Sequence, residues 1–564
     1  MNNTFKEIKQ NQKPTKVLKF IPLGGNGQVT KNMFVYEYGD DIVLVDCGMG
    51  FPSEQLYGVD MVIPDISYLR DKQTKIRGLL ITHGHEDHIG AIPYLIDKLS
   101  TTVYATRLTV GLIKNKLKEA NKLNTTKVVQ INPGEQFNLG AFRVEAFRVS
   151  HSIPDSVGYA LTTPLGTTIH TGDYKFDWTP LDGKTTDVDL LTEYGRKGVL
   201  ALMSDCLRSE KPGNTLSEAA IQVKFEEVMA HVSGRVLITT FASNISRVQQ
   251  AINASLKFNR KVCVVGRSME NNLLTAQNLG YISIPKDLLI KQDQIEKTND
   301  KNLTLIVAGS QGQPGSALNR IANGDHRFIF IKPGDEVVFS ADPIPGNQDA
   351  VYEMIDSLSR LGANVKYSDI TSDFHVSGHA AQDELILMLS ITKPKYVVPI
   401  SAMHRMMKQY GMLAESTGVP KANIFIVDEA GIIEFDEHGA RIKGEIHTEN
   451  IFVDGIGVGD VGEIVLRDRK VLAEEGIVVV ILTIDKAHNE IIGEPDIVSR
   501  GFVYMKESEP LIKQATEVIK KSLNGDKKIK NWMAVREKVT MDLERFLYQK
   551  TQRKPMVVPV IVGV

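Results

Sequence analysis

Short apolar runs alternate with segments of helical spacing along most of the chain. GLLIT and VLALMSD are compact apolar runs typical of buried strands, whereas VGLIKNKLKEANKL and ISRVQQAINASLKFN repeat their apolar positions at helical spacing. Because strands and helices follow one another in turn, the pattern predicts an α/β protein with parallel sheet. The C-terminal run MVVPVIVG predicts a further strand.

Several of the predicted strands end in a side chain that can bind a metal. GLLIT is followed at once by HGHEDH, whose histidines and carboxylate lie too close together for one helical face but can converge on a tight loop. Imidazole nitrogen and carboxylate oxygen are the usual ligands of zinc and manganese. The candidate ligands are His83, His85, Asp87, His88, His151 and Asp173. The pattern predicts a site for two cations suited to in-line attack at phosphorus; the alternative is a histidine-rich loop without metal.

The metal-competent residues define the domain organisation. They stop near Glu210, where a plain α/β pattern begins, and return in DITSDFHVSGH near Tyr367. The simplest account is an α/β domain inserted into a metal-binding domain. We predict a mobile N-terminal tail (1–16), the metal-binding domain in two parts (17–209 and 368–449), the inserted domain (210–367), and a linker with a small C-terminal α/β domain (450–564).

Composition narrows the class of protein only slightly. The 66 basic residues nearly balance the 68 acidic residues, so net charge does not point to a polyanionic partner, although a local basic groove is compatible with it. Cys47, Cys206 and Cys263 are scattered, which favours a reducing compartment. The polar start MNNTFKEIKQNQKPTK and the lack of a long apolar stretch predict a cytoplasmic protein without membrane association.

The motifs resemble those of a known family. HGHEDH, followed by SHSIPDS and HTGDYKFD, is similar to the metallo-β-lactamase fold. PLGG, GVDMVIPDISYL, FASNISRVQQ, GRSMENN, GSQGQP, PIPGN and HVSGH resemble ribonuclease J, of the β-CASP nuclease group, as do RDRKVLAEEGIVVVILTID and SRGFVYMKESE. The resemblance covers nearly the whole chain. It implies a metallo-β-lactamase αββα sandwich, an inserted β-CASP α/β domain and a small C-terminal α/β domain.

The resemblance also implies roles for individual residues. His83, His85, His151 and Asp173 would hold one zinc, and Asp87, His88 and the shared Asp173 would hold a second. Asp46 would orient the site, and His379 would be the general acid. The stretch gripping the scissile phosphate would be His375, Val376, Ser377, Gly378 and His379, for which capping or core roles are the alternative. Phosphate-contacting and 5′-end-sensing residues would be Ser243, Asn244, Arg247, Arg267, Ser268, Gln311 and Gly312, each with a structural role as the alternative.

The chain departs from the family pattern after the strand KYVVPI. Ser401, Ala402 and Met403 stand where His-Gly-Glu is usual, so the second metal site is expected to lack one ligand and to be weakened. His404 is expected to start a helix rather than to replace that ligand. The other departures are SDCLRSE in place of SDSTN, Gln28 and Gln313 in place of Glu, and Ser246 in place of His.

These features favour one function and leave two alternatives. The first is a ribonuclease with 5′–3′ exonuclease and endonuclease activity on single-stranded RNA, preferring a 5′-monophosphate and using two Zn²⁺, with Mn²⁺ or Mg²⁺ as alternatives. The second is a catalytically weak subunit that binds RNA or a paralogous ribonuclease J. Small-molecule hydrolases of the same fold come third, because the inserted domain and HVSGH argue against them. The resemblance implies a homodimer or homotetramer, or a hetero-oligomer with a paralogue.

Overall fold

The computed structural model describes residues 16–52, 56–344, 346–370, 374–455, 457–485, 487–488, 490–502, 509–523 and 532–564. All but the last residue of the predicted tail 1–16, and parts of the motifs PIPGN, DITSDFHVSGH and SRGFVYMKESE, lie outside the described residues. The chain divides into two compact units, Met1–Phe51 with Val62–Ile451, and Pro52–Met61 with Phe452–Val564.

The first part of the chain is rich in strands. Its elements are β1 (Leu18–Gly24), β2 (Met33–Tyr38), β3 (Asp41–Val45), β4 (Met61–Ile63), β5 (Ile76–Leu80), α1 (Glu86–Ile89), α2 (Ile92–Leu99), β6 (Val103–Ala105), α3 (Arg107–Glu119), β7 (Val128–Gln130), β8 (Gln136–Leu139), β9 (Phe142–Arg148), β10 (Val157–Thr163), β11 (Gly166–His170), α4 (Val188–Lys197) and β12 (Val199–Asp205).

The middle of the chain alternates strand and helix. Its elements are α5 (Ala219–His231), β13 (Val236–Thr240), α6 (Ile245–Lys257), β14 (Lys261–Val265), α7 (Arg267–Asn278), β15 (Leu303–Ala308), α8 (Ala317–Ala322), β16 (Glu336–Phe339), α9 (Gln348–Arg360), β17 (Asn364–Lys366), α10 (Gln382–Thr392), β18 (Pro394–Ile400), α11 (His404–Ser416), β19 (Gly431–Asp436) and β20 (Gly439–Glu445).

The last part of the chain is shorter. Its elements are β21 (Ile451–Asp454), β22 (Gly457–Val458), α12 (Glu463–Glu475), β23 (Ile477–Asp485), β24 (Glu490–Ile491), β25 (Asp496–Arg500), α13 (Glu509–Leu523), α14 (Trp532–Thr551) and β26 (Met556–Gly563). Short 3₁₀ helices occur at Ser67–Leu69, Gln73–Lys75, Gln292–Lys297, Asp300–Asn302 and Lys421–Asn423.

Two sheets pack face to face and form the domain that we call the two-sheet domain. One has the order β20-β19-β1-β2-β3-β5-β6-β7 and the other β18-β12-β11-β10-β9-β8. Their facing side chains form one core, to which Phe34 and Val45 contribute from the first sheet and Tyr159 and Val398 from the second. Helix α3 packs against β6 and β7, while α4, α10 and α11 share a core with β12 and β18. The layers are therefore helix, sheet, sheet and helix.

The segment between β12 and β18 contains a separate parallel sheet, which we call the inserted domain. Its order is β14-β15-β13-β16-β17, and its strand pairs are all parallel. Strands such as LTLIVA are buried along their whole length, because helices cover both faces of such a sheet. The inserted domain leaves the two-sheet domain after β12 and returns before α10, so both connections lie near the strand ends of the second sheet.

The C-terminal unit contains its own sheet. β23 pairs with β24 and β25 antiparallel and with β26 in parallel. Alternate residues of β23 are buried, and Val480 packs in one core with Ile519 of α13 and Leu543 of α14. Among the described helices, none combines the length and apolar composition needed to cross a bilayer.

Candidate metal centre and adjoining cleft

Three imidazole nitrogens converge at the end of β5. Nδ1 of His85 lies 3.0 Å from Nε2 of His83 and 3.1 Å from Nε2 of His151. His83 and His85 are on the loop after β5, whereas His151 follows β9, so the two sheets contribute jointly. A tetrahedral zinc site with Zn–N bonds of about 2.0–2.1 Å has ligand nitrogens roughly 3.3 Å apart. The spacing of the three nitrogens therefore fits one cation.

A second group of ligand atoms adjoins the first. Nε2 of His88 lies 3.1 Å from Oδ2 of Asp173 and 3.6 Å from Oδ2 of Asp87. The same Asp173 oxygen is 3.7 Å from Nε2 of His83 and 3.9 Å from Nε2 of His151, so it lies close to two members of the first group as well. Oδ1 of Asp173 is buried and has no hydrogen-bond partner among the described residues. A buried carboxylate oxygen without a donor is costly unless a cation balances it.

The electrostatics of the two groups favour cations. Burial, followed by the charge of neighbouring histidines, holds the pKa of His83 and His85 well below the usual range, so both rings are neutral, as metal ligation requires. Around His88 burial opposes charge, but Asp173, Asp46 and Asp87 outweigh it and raise the pKa of His88 well above its usual value. The second group thus carries excess negative charge.

Asp46 orients His88, a member of the second group. Its carboxylate accepts hydrogen bonds from Nδ1 of His88 at 2.8 Å and from the Thr82 amide at 2.8 Å. It is fully buried and has a φ of 62°, a left-handed conformation that is uncommon for residues other than glycine. The bond to Nδ1 leaves Nε2 of His88 facing Asp173, the arrangement by which a carboxylate orients a metal-binding histidine.

Ser401 lies where the resemblance expects a further histidine. It follows β18 with a φ of 55°, and its Oγ donates to Oδ1 of Asn32 at 3.1 Å. Nδ2 of Asn32 in turn lies 3.1 Å from Nε2 of His88. The prediction that His404 starts a helix is confirmed, since α11 begins there, and Nδ1 of His404 lies 2.9 Å from Asp428.

His379 lies on the loop between the inserted domain and α10. Its Nδ1 donates to Oδ2 of Asp205 at 2.7 Å, and its Nε2 is 4.0 Å from Oδ2 of Asp173. Burial lowers the pKa of His379, but Asp205 and Asp173 outweigh it and raise that pKa to about 9. Asp205 ends the apolar run VLALMSD, one of the predicted strands that end in a metal-competent side chain. The sequence pattern does not pair it with His379.

The rest of the HVSGH stretch is closely fitted to the metal centre. Nδ1 of His151 donates to the Gly378 carbonyl at 2.7 Å. A Cβ at position 378 would lie 2.5 Å from the His151 ring, so only glycine fits there. Nδ1 of His375 is buried without a partner among the described residues, and its Nε2 is 3.8 Å from Asp342. Val376 is buried.

A cleft of about 880 Å³ is lined by residues of both the two-sheet domain and the inserted domain and includes four of the candidate metal ligands. The predicted site residues that line it are His85, Asp87, His151, Asp173, Ser243, Asn244, Arg267, Ser268, Gln311, His375, Ser377, Gly378 and His379. Those outside its lining are Asp46, His83, His88, Arg247, Gly312 and Val376. Arg208, Lys211 and Arg320 also line the cleft and were not predicted.

Arg247 faces the interior rather than the cleft. It is completely buried, and its guanidinium donates to Glu218 at 2.8 Å, to Gln250 at 3.0 Å and to the Ser340 carbonyl at 3.1 Å. Gln311 combines both roles: it lines the cleft, while its side chain holds the loop at Asp342 and Ile344 through bonds of 2.9 and 2.7 Å.

Four family models match the chain in succession. They are the metallo-beta-lactamase superfamily over residues 26–203, the ribonuclease J beta-CASP domain over 233–358, the Zn-dependent metallo-hydrolase RNA specificity domain over 364–427 and the ribonuclease J C-terminal domain over 464–564. The predicted fold class, a metallo-β-lactamase sandwich with an inserted β-CASP domain and a C-terminal domain, is confirmed. The matched models also support a metal cofactor.

Curated proteins resemble the chain over nearly its full length. Ribonuclease J2 of Bacillus subtilis is 40% identical over 555 residues, which cover 98% of this chain and 100% of that protein. Ribonuclease J 1 of Streptococcus pyogenes is also 40% identical over 555 residues, covering 98% of each chain. A crystal structure of a protein of unknown function from Enterococcus faecalis V583 superimposes with a TM-score of 0.54 over 74% of this chain and 100% of its own, at 15% identity. That structure is evidence for the fold alone.

Proposed function

The chain belongs to the ribonuclease J family, and we propose that it degrades or trims single-stranded RNA from a 5′-monophosphate end, with some endonucleolytic cutting. The observation that carries the proposal is the carboxylate of Asp173, which lies close to the ligand atoms of two groups of candidate metal ligands in a cleft that the inserted domain helps to line. Such a cleft suits a chain-like anionic substrate better than a small molecule.

We assign the ligands as follows. His83, His85, His151 and Asp173 would hold one zinc, and Asp87, His88 and Asp173 would hold a second, weaker one, with Mn²⁺ or Mg²⁺ as alternatives. When bound, the cations would polarise the phosphate and lower the pKa of a coordinated water. The converging nitrogens and the unpartnered Oδ1 of Asp173 support this assignment.

The chain's own residues would supply the remaining steps. His379, charged at neutral pH because of Asp205, would donate its Nε2 proton to the leaving oxygen. Ser377 and Gly378 would present backbone amides to the scissile phosphate, since a glycine lets the anion approach closely. Arg267 and Ser268, in the first turn of α7 at the cleft wall, would bind a phosphate with the help of the helix N-terminus.

The test is RNA decay. The purified chain is incubated with Mn²⁺, Mg²⁺ or Zn²⁺ and with the same RNA carrying a 5′-monophosphate or a 5′-triphosphate. We expect progressive loss of the monophosphorylated RNA and at least a hundredfold slower loss with His379→Gln, on the order of a lost general acid. His404→Gln, which removes an exposed histidine outside the cleft, is the control. Stability of both RNAs with every metal would overturn the enzymatic proposal.

A specific observation favours a second candidate. The bond from Ser401 to Asn32 occupies the place where a metal ligand is expected, which fits a catalytically weak subunit that binds RNA or a paralogous ribonuclease J. RNA binding without RNA loss would support that function. We further propose a cytoplasmic location, in keeping with three free, buried cysteines, and assembly into a homodimer or homotetramer.

A further inference from the structure

Four cations line the cleft beside five carboxylates. The cations are Arg208, Lys211, Arg267 and Arg320, and the carboxylates are Glu86, Asp87, Glu119, Asp173 and Asp342. In the described part of the chain none of these four cations has a salt bridge. Lys211, Arg267 and Arg320 are exposed, so water solvates them, whereas Arg208 is partly buried. Arg208 is therefore the cation whose isolation needs an explanation.

The side chain of Arg208 has an unpaired hydrogen-bond donor among the described residues. Its Nε is buried and has no hydrogen-bond partner among the described residues. Burial lowers the pKa of Arg208, while Asp342 and Glu384 partly counteract this effect. Glu384 is already engaged by the amides of Phe176, Thr215 and Ala381. A buried donor that is left unpaired is unfavourable unless a ligand completes it.

The backbone that carries Arg208 is firmly held next to His379. The Leu207 amide donates to Asp205 at 2.9 Å, and Asp205 is the carboxylate that holds His379. Oγ of Ser209 donates to the Met406 carbonyl at 2.7 Å, and the Ser209 carbonyl accepts from Gln382 at 2.8 Å. The position of the arginine is thus fixed relative to the candidate general acid.

We propose that Arg208 binds a backbone phosphate of the RNA beside the scissile bond. A guanidinium suits this because its planar fork donates two hydrogen bonds to one phosphate. The site implied by the family resemblance does not include Arg208, since SDSTN has no arginine where this chain has SDCLRSE. The inference rests on the proposed RNA substrate, but not on catalysis.

The test measures RNA binding rather than cleavage. Binding of the metal-loaded chain to fluorescein-labelled, 5′-monophosphorylated phosphorothioate RNA is followed by anisotropy at several salt concentrations, and a gel confirms that the RNA stays intact. Arg208→Gln should weaken binding about three- to tenfold, equally for oligo(A) and oligo(U). It should also reduce the slope of log K against log salt by about 0.7, the value for one phosphate contact on a single strand.

Two further variants make the outcome specific. Arg208→Lys keeps the charge but not the fork, so it should keep the salt slope and lose part of the affinity. Arg405→Gln removes a surface arginine that pairs with Glu210 at 3.4 Å and does not line the cleft, and it should bind as the wild type does. Thermal unfolding checks the folding of each variant. If Arg208→Gln misfolds, a weaker salt slope in Arg208→Lys overturns the inference.

Failure of the Arg208 inference can be distinguished from failure of the proposed function. If the wild type binds RNA and Arg208→Gln matches Arg405→Gln in affinity and slope, the inference is refuted and the proposed function stands. If the wild type binds no RNA, the proposed function fails and the inference fails with it.

Discussion

The substitution Ser401→His should convert the weaker metal site into a strong one. Ser401 follows β18 and lines the cleft together with Asp87 and Asp173, two of the ligands assigned to the second cation. Its φ of 55° is left-handed, a conformation that histidine adopts more readily than most residues. The backbone therefore accepts the substitution, and the new imidazole begins at the strand end that faces the second group.

The size of the effect follows from the ligand count. Four-ligand structural zinc sites bind with roughly 10–16 kcal/mol, so one ligand contributes about 3 kcal/mol on average. The substitution also removes the hydrogen bond from Ser401 to Asn32. This bond is missing from the metal-free and the metal-bound variant alike, so its loss lowers the folding stability by about 1 kcal/mol and does not change the zinc affinity. The expected gain in affinity is therefore about 3 kcal/mol, or roughly a 150-fold lower Kd for the second cation.

The assay is a zinc titration of the metal-stripped chain against a competing chelator, with elemental analysis after gel filtration. We expect one tightly held zinc in the wild type and two in Ser401→His. Ser401→Ala, which removes the hydroxyl without adding a ligand, should resemble the wild type. Two equally tight zinc ions in the wild type, together with no gain in Ser401→His, would refute the reasoning.

Two other substitutions test the packing around the site. Gly378→Ala places a methyl group 2.5 Å from the His151 ring, and we expect roughly a hundredfold loss of RNA cleavage, measured against Gly462→Ala, whose new methyl group meets open space. Glu218→Gln leaves Arg247 buried without its carboxylate, so urea unfolding at pH 7 should show a loss of about 3–5 kcal/mol, with exposed Glu227→Gln unchanged. Burial raises the pKa of Glu218, but the charges of Arg247 and Lys175 outweigh burial and lower that pKa from its usual value of 4.5. The ionised Glu218 therefore contributes its full stabilisation above about pH 4.5, and this contribution is lost as the pH falls through the lowered pKa. An equal loss at pH 7 and pH 3.5 would contradict this explanation.

The convergence of the candidate metal ligands could be predicted because these residues follow apolar runs. HGHEDH places four candidate ligands within six positions after β5, His83 and His85 on a loop and Asp87 and His88 in the short helix α1 rather than on the predicted loop. His151 follows β9 and Asp173 follows β11, both strands of the facing sheet. Local sequence is sufficient for that inference, since strand ends of a packed sheet meet at one edge. Asp205 ends a strand in the same way, but its role depends on His379, which is 174 positions away. Sequence pattern alone does not pair residues at such separations.

Arg247 illustrates a second limit of prediction from sequence motifs, which concerns burial. A charged residue in FASNISRVQQ is expected to face solvent and hence a ligand, because arginine is rarely fully buried without a partner. The partner is Glu218, which lies on the inserted domain's first connection and meets both Arg247 and Lys175. The burial of Arg247 thus follows from a contact with Glu218, which lies outside the motif FASNISRVQQ. The residues of that motif alone do not predict the contact.

The number of tightly held cations likewise depends on elements far apart in the chain. His88 follows β5, Asp173 follows β11 and Ser401 follows β18, and only the folded sheets bring these three positions together. The excess of carboxylates around His88 attracts a cation, whereas the contact of Asn32 with Nε2 of His88 competes for the same nitrogen. The balance between these two effects determines whether the second site fills, and the residue at position 401 is the variable that shifts it.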